Sequence, residues 1–186
     1  MLLRDQFARL VPAFRQNCLR LLEKCEEKGV TMYPNELIRS PQTQARLWCR
    51  GRSPATILQG ITSLEMDGAS FLASCLQRAA AANNSSGAKI VTNALPGLSW
   101  HQWGEAMDCC WLVDGRPEWN TCILKEGGNG YVVYGEEATK LGLDAGYLWA
   151  SKDAAHVQYR KDASPLAVFT MREIDREMKA RYGTPA

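Results

Sequence analysis

The chain contains only two histidines in 186 residues, and both lie in short segments that carry other metal-binding groups. The first segment is Ser99-Trp100-His101-Gln102-Trp103-Gly104-Glu105-Ala106-Met107-Asp108, and the second is Asp153-Ala154-Ala155-His156-Val157-Gln158. Two neutral imidazoles and one carboxylate are the minimal protein ligand set of a catalytic zinc ion that keeps its fourth position open for water. His101, Asp108 and His156 are therefore the candidate metal ligands, with one zinc ion per chain. Asp153, three residues before the second histidine, is the candidate general base. A positioned base of this kind contributes about 10²–10⁴ in rate. Arg39 is the candidate electrophile, because a fixed guanidinium can hold a carbonyl oxygen as charge develops on it, or clamp a carboxylate. Ser99 could orient the ligand loop or hydrogen-bond a substrate, and Trp100, Trp103 and Trp149 could wall a cleft. Together these residue types read as a metallohydrolase. Taken singly, each has a plainer reading. Asp108 could end a strand, Asp153 could be a turn residue, and Arg39 could pair with Glu36.

The elements that must position these groups are partly visible. Residues 2 to 28 carry apolar groups at helical spacing, with Pro12 placed to split or kink the helix. Glu36 to Arg39 reads as an extended segment, and Ser40-Pro41 opens a helix running through Trp48. Residues 63 to 82 read as one helix weakened by Gly68, followed by a surface loop over Asn83 to Gly87. Lys89 to Thr92 reads as a short strand. Ala106 to Val113 reads as a buried strand that delivers Asp108, with Gly104 allowing a tight turn between it and His101. The Asp114-Gly115 turn closes that strand. Gly127 to Gly130 reads as a flexible loop, Tyr131 to Leu141 as a helix, Ala155 to Tyr159 as the strand carrying His156, and residues 171 to 182 as a charged terminal helix. Helices come early and short strands late, without regular βαβ alternation. This predicts an α+β fold with a small antiparallel sheet packed with helices, in a single domain spanning residues 1–186.

Composition narrows the function classes. The hydrophobic fraction of 46% and charged fraction of 23% are those of an ordinary globular protein. A net charge of +2 does not support nucleic-acid binding. The seven cysteines form no C-x-x-C pair, so they read as buried free thiols, not as a structural zinc site or a disulfide framework. Arg4, Asp5, Arg9 and Arg15 interrupt the N-terminal apolar pattern, which argues against a signal peptide. No stretch reaches the length of a transmembrane helix. A monomer kept in the cytoplasm, without stable membrane insertion, is expected.

The joint pattern resembles a known family. R-S-x-x-x-Q at Arg39 to Gln44, T-N-A at Thr92 to Ala94, P-G-x-S-x-H-x-x-G-x-A-x-D from Pro96 to Asp108 and D-x-x-H-x-Q from Asp153 to Gln158 occur in this order. They are similar to the motifs of the zinc D-alanyl-D-alanine carboxypeptidase and L-alanyl-D-glutamate endopeptidase (VanY-like) family, with bacteriophage endolysins looking closest. The resemblance covers about residues 30 to 160, between helical flanks. It implies the fold shared with the Hedgehog signalling domain, with zinc on His101, Asp108 and His156. It also implies Asp153 as catalytic acid/base and Arg39 as transition-state stabiliser or substrate anchor. Ser99, Gln44 and Trp149 are expected among the substrate-binding residues. The partner implied is the stem peptide of bacterial peptidoglycan, cut at L-Ala–D-Glu during host lysis after a holin opens the membrane. The alternatives are a D-Ala-D-Ala carboxypeptidase or dipeptidase and a non-catalytic zinc-containing binding module. Relatives often carry Glu at the position of Asp153 and a Trp-Gly-Gly stretch before it, where this chain has Trp149-Ala150-Ser151-Lys152.

Overall fold

The computed structural model describes residues 3–83, 87–124 and 128–183. Within them lie helices α1 (Leu3–Ala8), α2 (Pro12–Glu26), α3 (Pro41–Cys49), α4 (Pro54–Met66), α5 (Ser70–Ala81), α6 (Gly130–Lys140) and α7 (Met171–Tyr182). The strands are β1 (Thr31–Glu36), β2 (Ala106–Val113), β3 (Arg116–Glu118), β4 (Asp144–Ala145) and β5 (His156–Gln158). The fold is α+β, as the order of helices and strands predicts. The chain falls into two compact units, one of residues Met1–Ile38 with Trp103–Lys161, the other of Arg39–Gln102 with Asp162–Ala186. Among the described residues, no helix is long and apolar enough to cross a membrane.

The first unit is an antiparallel sheet with helices on it. The strand order is β1-β2-β5-β4, with β3 hairpinned onto β2. The hairpin turn is Asp114-Gly115, both at positive φ (51° and 73°), the conformation a two-residue hairpin with the native twist requires. Strand β2 alternates strictly. Met107, Cys109 and Trp111 enter the core beside Phe14, Cys18 and Leu21 of α2 and Tyr134 and Ala138 of α6. Asp108 and Cys110 take the opposite face, as the two-residue period of a strand dictates. The N-terminal helical pattern is split at Pro12, which sits at the first position of α2 where its missing N–H costs nothing.

The extended segment expected at Glu36 to Arg39 lies earlier, over Thr31–Glu36. Pro34 hides this strand from a propensity reading. The structure tolerates Pro34 because β1 is an edge strand and its register slips between Pro34 and Glu36.

The second unit is helical. Ser40 caps α3 by accepting from the Thr43 N–H at 3.1 Å, with Pro41 at the first position, as expected. The single helix expected over 63 to 82 is two helices, because Gly68 adopts φ 76° and ends the first. Its Cβ-free face lies against the Arg172 side chain. Helix α4 starts at Pro54, behind a Ser53 cap of the same type as Ser40. The strand expected at Lys89 to Thr92 is absent. Ile90 and Val91 are exposed, and the carbonyls of Thr92 and Ala94 are taken by Arg52 Nη2 (2.8 Å) and Gln44 Nε2 (2.7 Å) instead of a ladder. The loop expected over 83 to 87 is described only at its two ends, and that over 127 to 130 only from Gly128. Helix α7 spans 171–182 as predicted and opens with a reciprocal capping box between Thr170 and Glu173.

Helix α5 lacks a capping side chain of its own, since Ala69 precedes it. Asp175 of α7 replaces one, its Oδ1 accepting the Leu72 N–H at 2.8 Å in a buried setting. Asp175→Ala leaves that donor unsatisfied and removes a carboxylate from a helix N-terminus. The expected loss is about 1–3 kcal/mol of stability, read as a lower urea midpoint. The seven cysteines are all free, and only Cys122 is exposed. Burial pushes the Cys25 thiol up to about 12, and raises those of Cys18 and Cys109 strongly as well. A chromogenic thiol reagent at neutral pH should therefore titrate one group in the folded protein and seven in denaturant.

Candidate metal centre

Two of the three expected ligands are placed by a sheet register. Asp108 on β2 and His156 on β5 are direct cross-strand partners. Their neighbours Met107 and Val157 face the core, so Asp108 and His156 share the other face of the sheet. His156 Nδ1 lies 2.9 Å from Asp108 Oδ1. Burial alone would lower the pKa of His156. The hydrogen bond and charge of Asp108 outweigh it, helped by the charge of Asp153 and by Gln158, and hold the imidazole above its ordinary value.

His101 is carried by a short 3-10 helix, Trp100–Trp103. The turn is pinned at each end. Trp100 Nε1 donates to the Asp162 carbonyl at 2.7 Å, and the hydroxyl of Tyr182 donates to the Gln102 carbonyl at 2.8 Å. Gly104 follows at φ 72°. A Cβ there would meet the Arg9 carbonyl oxygen at 2.8 Å, so only glycine makes the turn into β2 without strain. His101 is 2% exposed and its carbonyl accepts the Arg39 N–H at 3.3 Å. One ligand atom from each of His101, Asp108 and His156 lies within 4.8 Å of the other two. Two imidazoles and a carboxylate at this spacing, two of them buried, are a donor set that suits a divalent cation with a position left open.

The remaining expected site residues occupy distinct settings. Asp153 is exposed and opens a tight turn, its carbonyl accepting the His156 N–H at 3.0 Å and its N–H donating to the Gly146 carbonyl at 2.9 Å. A side chain at Gly146 would collide with the Asp153 carbonyl, so that glycine lets the turn close. Trp149 packs its ring 5.2 Å from the His156 ring and donates Nε1 to Asp144 Oδ2 at 3.1 Å. Arg39 is half-buried, and its Nη1 donates to Gln44 Oε1 at 2.9 Å. Gln44 is fully buried, and its amide nitrogen donates to Thr92 Oγ1 and the Ala94 carbonyl. Its polar atoms are thus engaged with protein groups, and they tie Arg39 to the segment around Thr92 and Ala94. Ser99 is half-buried, and its carbonyl accepts the Gln102 N–H at 3.0 Å.

Two residues of this region carry no role on sequence grounds, Gln158 and Asp144. Gln158 belongs to the D-x-x-H-x-Q run, and the two-residue strand period places it on the same face as His156. That spacing was the only signal that could have found it.

A search of curated proteins returned no match. The model of the VanY family, described as D-alanyl-D-alanine carboxypeptidase, matches residues 8–159. The matched segment holds all three cluster residues together with Arg39 and Asp153, and it begins before the region in which the motifs are recognisable by eye. The chain belongs to the VanY family of D-alanyl-D-alanine carboxypeptidases, hydrolases that act on peptidoglycan.

Proposed function

We propose that the protein is a zinc-dependent peptidase that hydrolyses an amide bond in the peptidoglycan stem peptide. The observation that carries this reading is the convergence of His101, Asp108 and His156 in a chain of this family. Zinc bound by these residues supplies a Lewis acid and an acidified water at neutral pH. The chain's own groups do the rest. The Asp153 carboxylate takes the proton from the attacking water and returns it to the departing amine. Exposure suits it to that exchange, and the turn to His156 fixes its distance from the ligand strand. The Arg39 guanidinium, anchored through Nη1 on the buried Gln44 oxygen, donates hydrogen bonds to a substrate carbonyl or carboxylate. Trp149 offers an apolar wall beside His156, and Ser99 a hydroxyl close in sequence to His101.

Two scissile bonds are consistent with this machinery. The resemblance to bacteriophage endolysins favours the L-Ala–D-Glu bond and a role in host lysis. The family description favours the terminal D-Ala–D-Ala bond. Mass spectrometry of products from purified peptidoglycan and from soluble stem peptides separates them. A new glutamate amino terminus supports endopeptidase action, and free D-alanine alone supports the carboxypeptidase. No product from either, with zinc bound, reduces the chain to a binding module.

His101→Ala is expected to lose most bound zinc by elemental analysis. Asp153→Ala should keep its zinc and its fold while turnover falls about 10²–10⁴-fold. Normal zinc in the first variant, or full wall-lytic activity in the second, removes that residue from its role.

The raised pKa of His156 sets a pH dependence. In the metal-free protein the protonated imidazole beside Asp108 stabilises the fold, fully so below the unfolded histidine value of about 6.5. That contribution fades as pH rises through the higher folded value. Protons and zinc compete for the same ring, so zinc affinity should weaken on acidification from a higher pH than an ordinary histidine would give. Zinc titrations across pH 5 to 8 read this directly.

A further inference from the structure

The buried polar chain behind His156 fixes which of its ring nitrogens is available. His156 Nδ1 faces Asp108, while Nε2 lies 3.1 Å from Gln158 Oε1. An amide can present either oxygen or nitrogen, and here its other end decides. Gln158 Nε2 donates to the Arg160 carbonyl at 2.8 Å and reaches Asp144 Oδ2 at 3.4 Å. Both are acceptors only, so the NH₂ group must point to them and the oxygen must point to the ring. An oxygen facing Nε2 requires a proton on Nε2.

The two acceptors are themselves held. Asp144 Oδ2 also accepts from Trp149 Nε1. Arg160 is anchored by its guanidinium on the buried Glu105 carboxylate, at 2.6 Å from Nε to Oε2. Gln158 is 2% exposed, so water is a poor substitute for its oxygen.

We infer that Gln158 is a positioning residue, whose amide oxygen holds the Nε2–H tautomer of His156 and so assigns metal ligation to Nδ1. This rests on the zinc reading above. The partner behind a ligating imidazole fixes both its tautomer and its ring orientation, and losing it costs about 10–100-fold in metal affinity. A neutral amide does this without adding a second negative charge behind the ring, and Asp144 supplies its charge one step further out. Trp149, expected as a cleft wall, acquires a second task, since its indole N–H steadies Asp144 while its ring packs against the imidazole.

Two measurements test this. In the zinc-loaded wild type, a long-range ¹H–¹⁵N correlation spectrum should show Nε2 of His156 protonated and Nδ1 bound to metal. With two histidines in the chain the assignment is direct. In competition with a chromophoric chelator, Gln158→Leu should bind zinc about 10–100-fold more weakly than wild type. Zinc ligation through Nε2 in the wild type overturns the inference, whether or not the variant folds. So does a folded Gln158→Leu protein with undiminished affinity. A wild type that takes up no zinc removes the metallopeptidase reading and this inference together, whereas either of the other failures leaves that reading standing.

Discussion

The pairing of β2 with β5 in one register is the constraint on which the candidate centre depends. Ala106, Met107 and Asp108 face Gln158, Val157 and His156 in turn. Side chains alternate with a period of two, so a slip of one residue would turn His156 and Gln158 into the core and Val157 onto the ligand face. Val157 and Met107 are both fully buried, and the apolar demand of the core therefore fixes the placement of the polar pair. Hydrophobic burial, which has no directionality of its own, becomes a positioning device through the pleat. The same ladder brings Gln158 behind His156, so ligand and support come from one alternation.

The helical unit solves a related problem with capping groups. Helix α5 has no donor-satisfying residue at its own start and takes Asp175 from α7. Gln44 is placed on α3 by the Ser40 cap and uses its amide to join Arg39 to the segment around Thr92 and Ala94. In both places one buried polar side chain meets needs that arise far apart in sequence. Buried polar groups of this kind are costly when half satisfied, which makes each junction sensitive to single substitutions.

The parts of this picture legible in the sequence are those governed by local rules. The ligand types, the β2 alternation, the Ser40-Pro41 cap and the limits of α7 follow from short-range spacing. Helix α4 carried the same Ser-Pro opening at Ser53-Pro54, but its Gly60 and scattered hydroxyl residues weaken the apolar pattern. Gly60 is there because the Trp48 indole would meet a Cβ at 2.8 Å, a tertiary reason that spacing does not express. Ile90 and Val91 suggested a strand by their β-branching, yet a strand needs a partner, and the nearby carbonyls were claimed by Arg52 and Gln44. The orientation of the Gln158 amide was beyond reach for the same reason, since it is set by the Arg160 carbonyl and by Asp144, fourteen residues earlier.

The proline that concealed β1 also determines how this sheet meets other chains. Pro34 removes one amide hydrogen from the outermost strand and coincides with a register slip there. At the opposite border, β4 offers only two residues. Among the described residues, neither border presents a long, flat row of open donors and acceptors on which a foreign strand could zip. A proline with a register slip on one border and a two-residue strand on the other are devices that discourage edge-to-edge pairing between copies of a sheet.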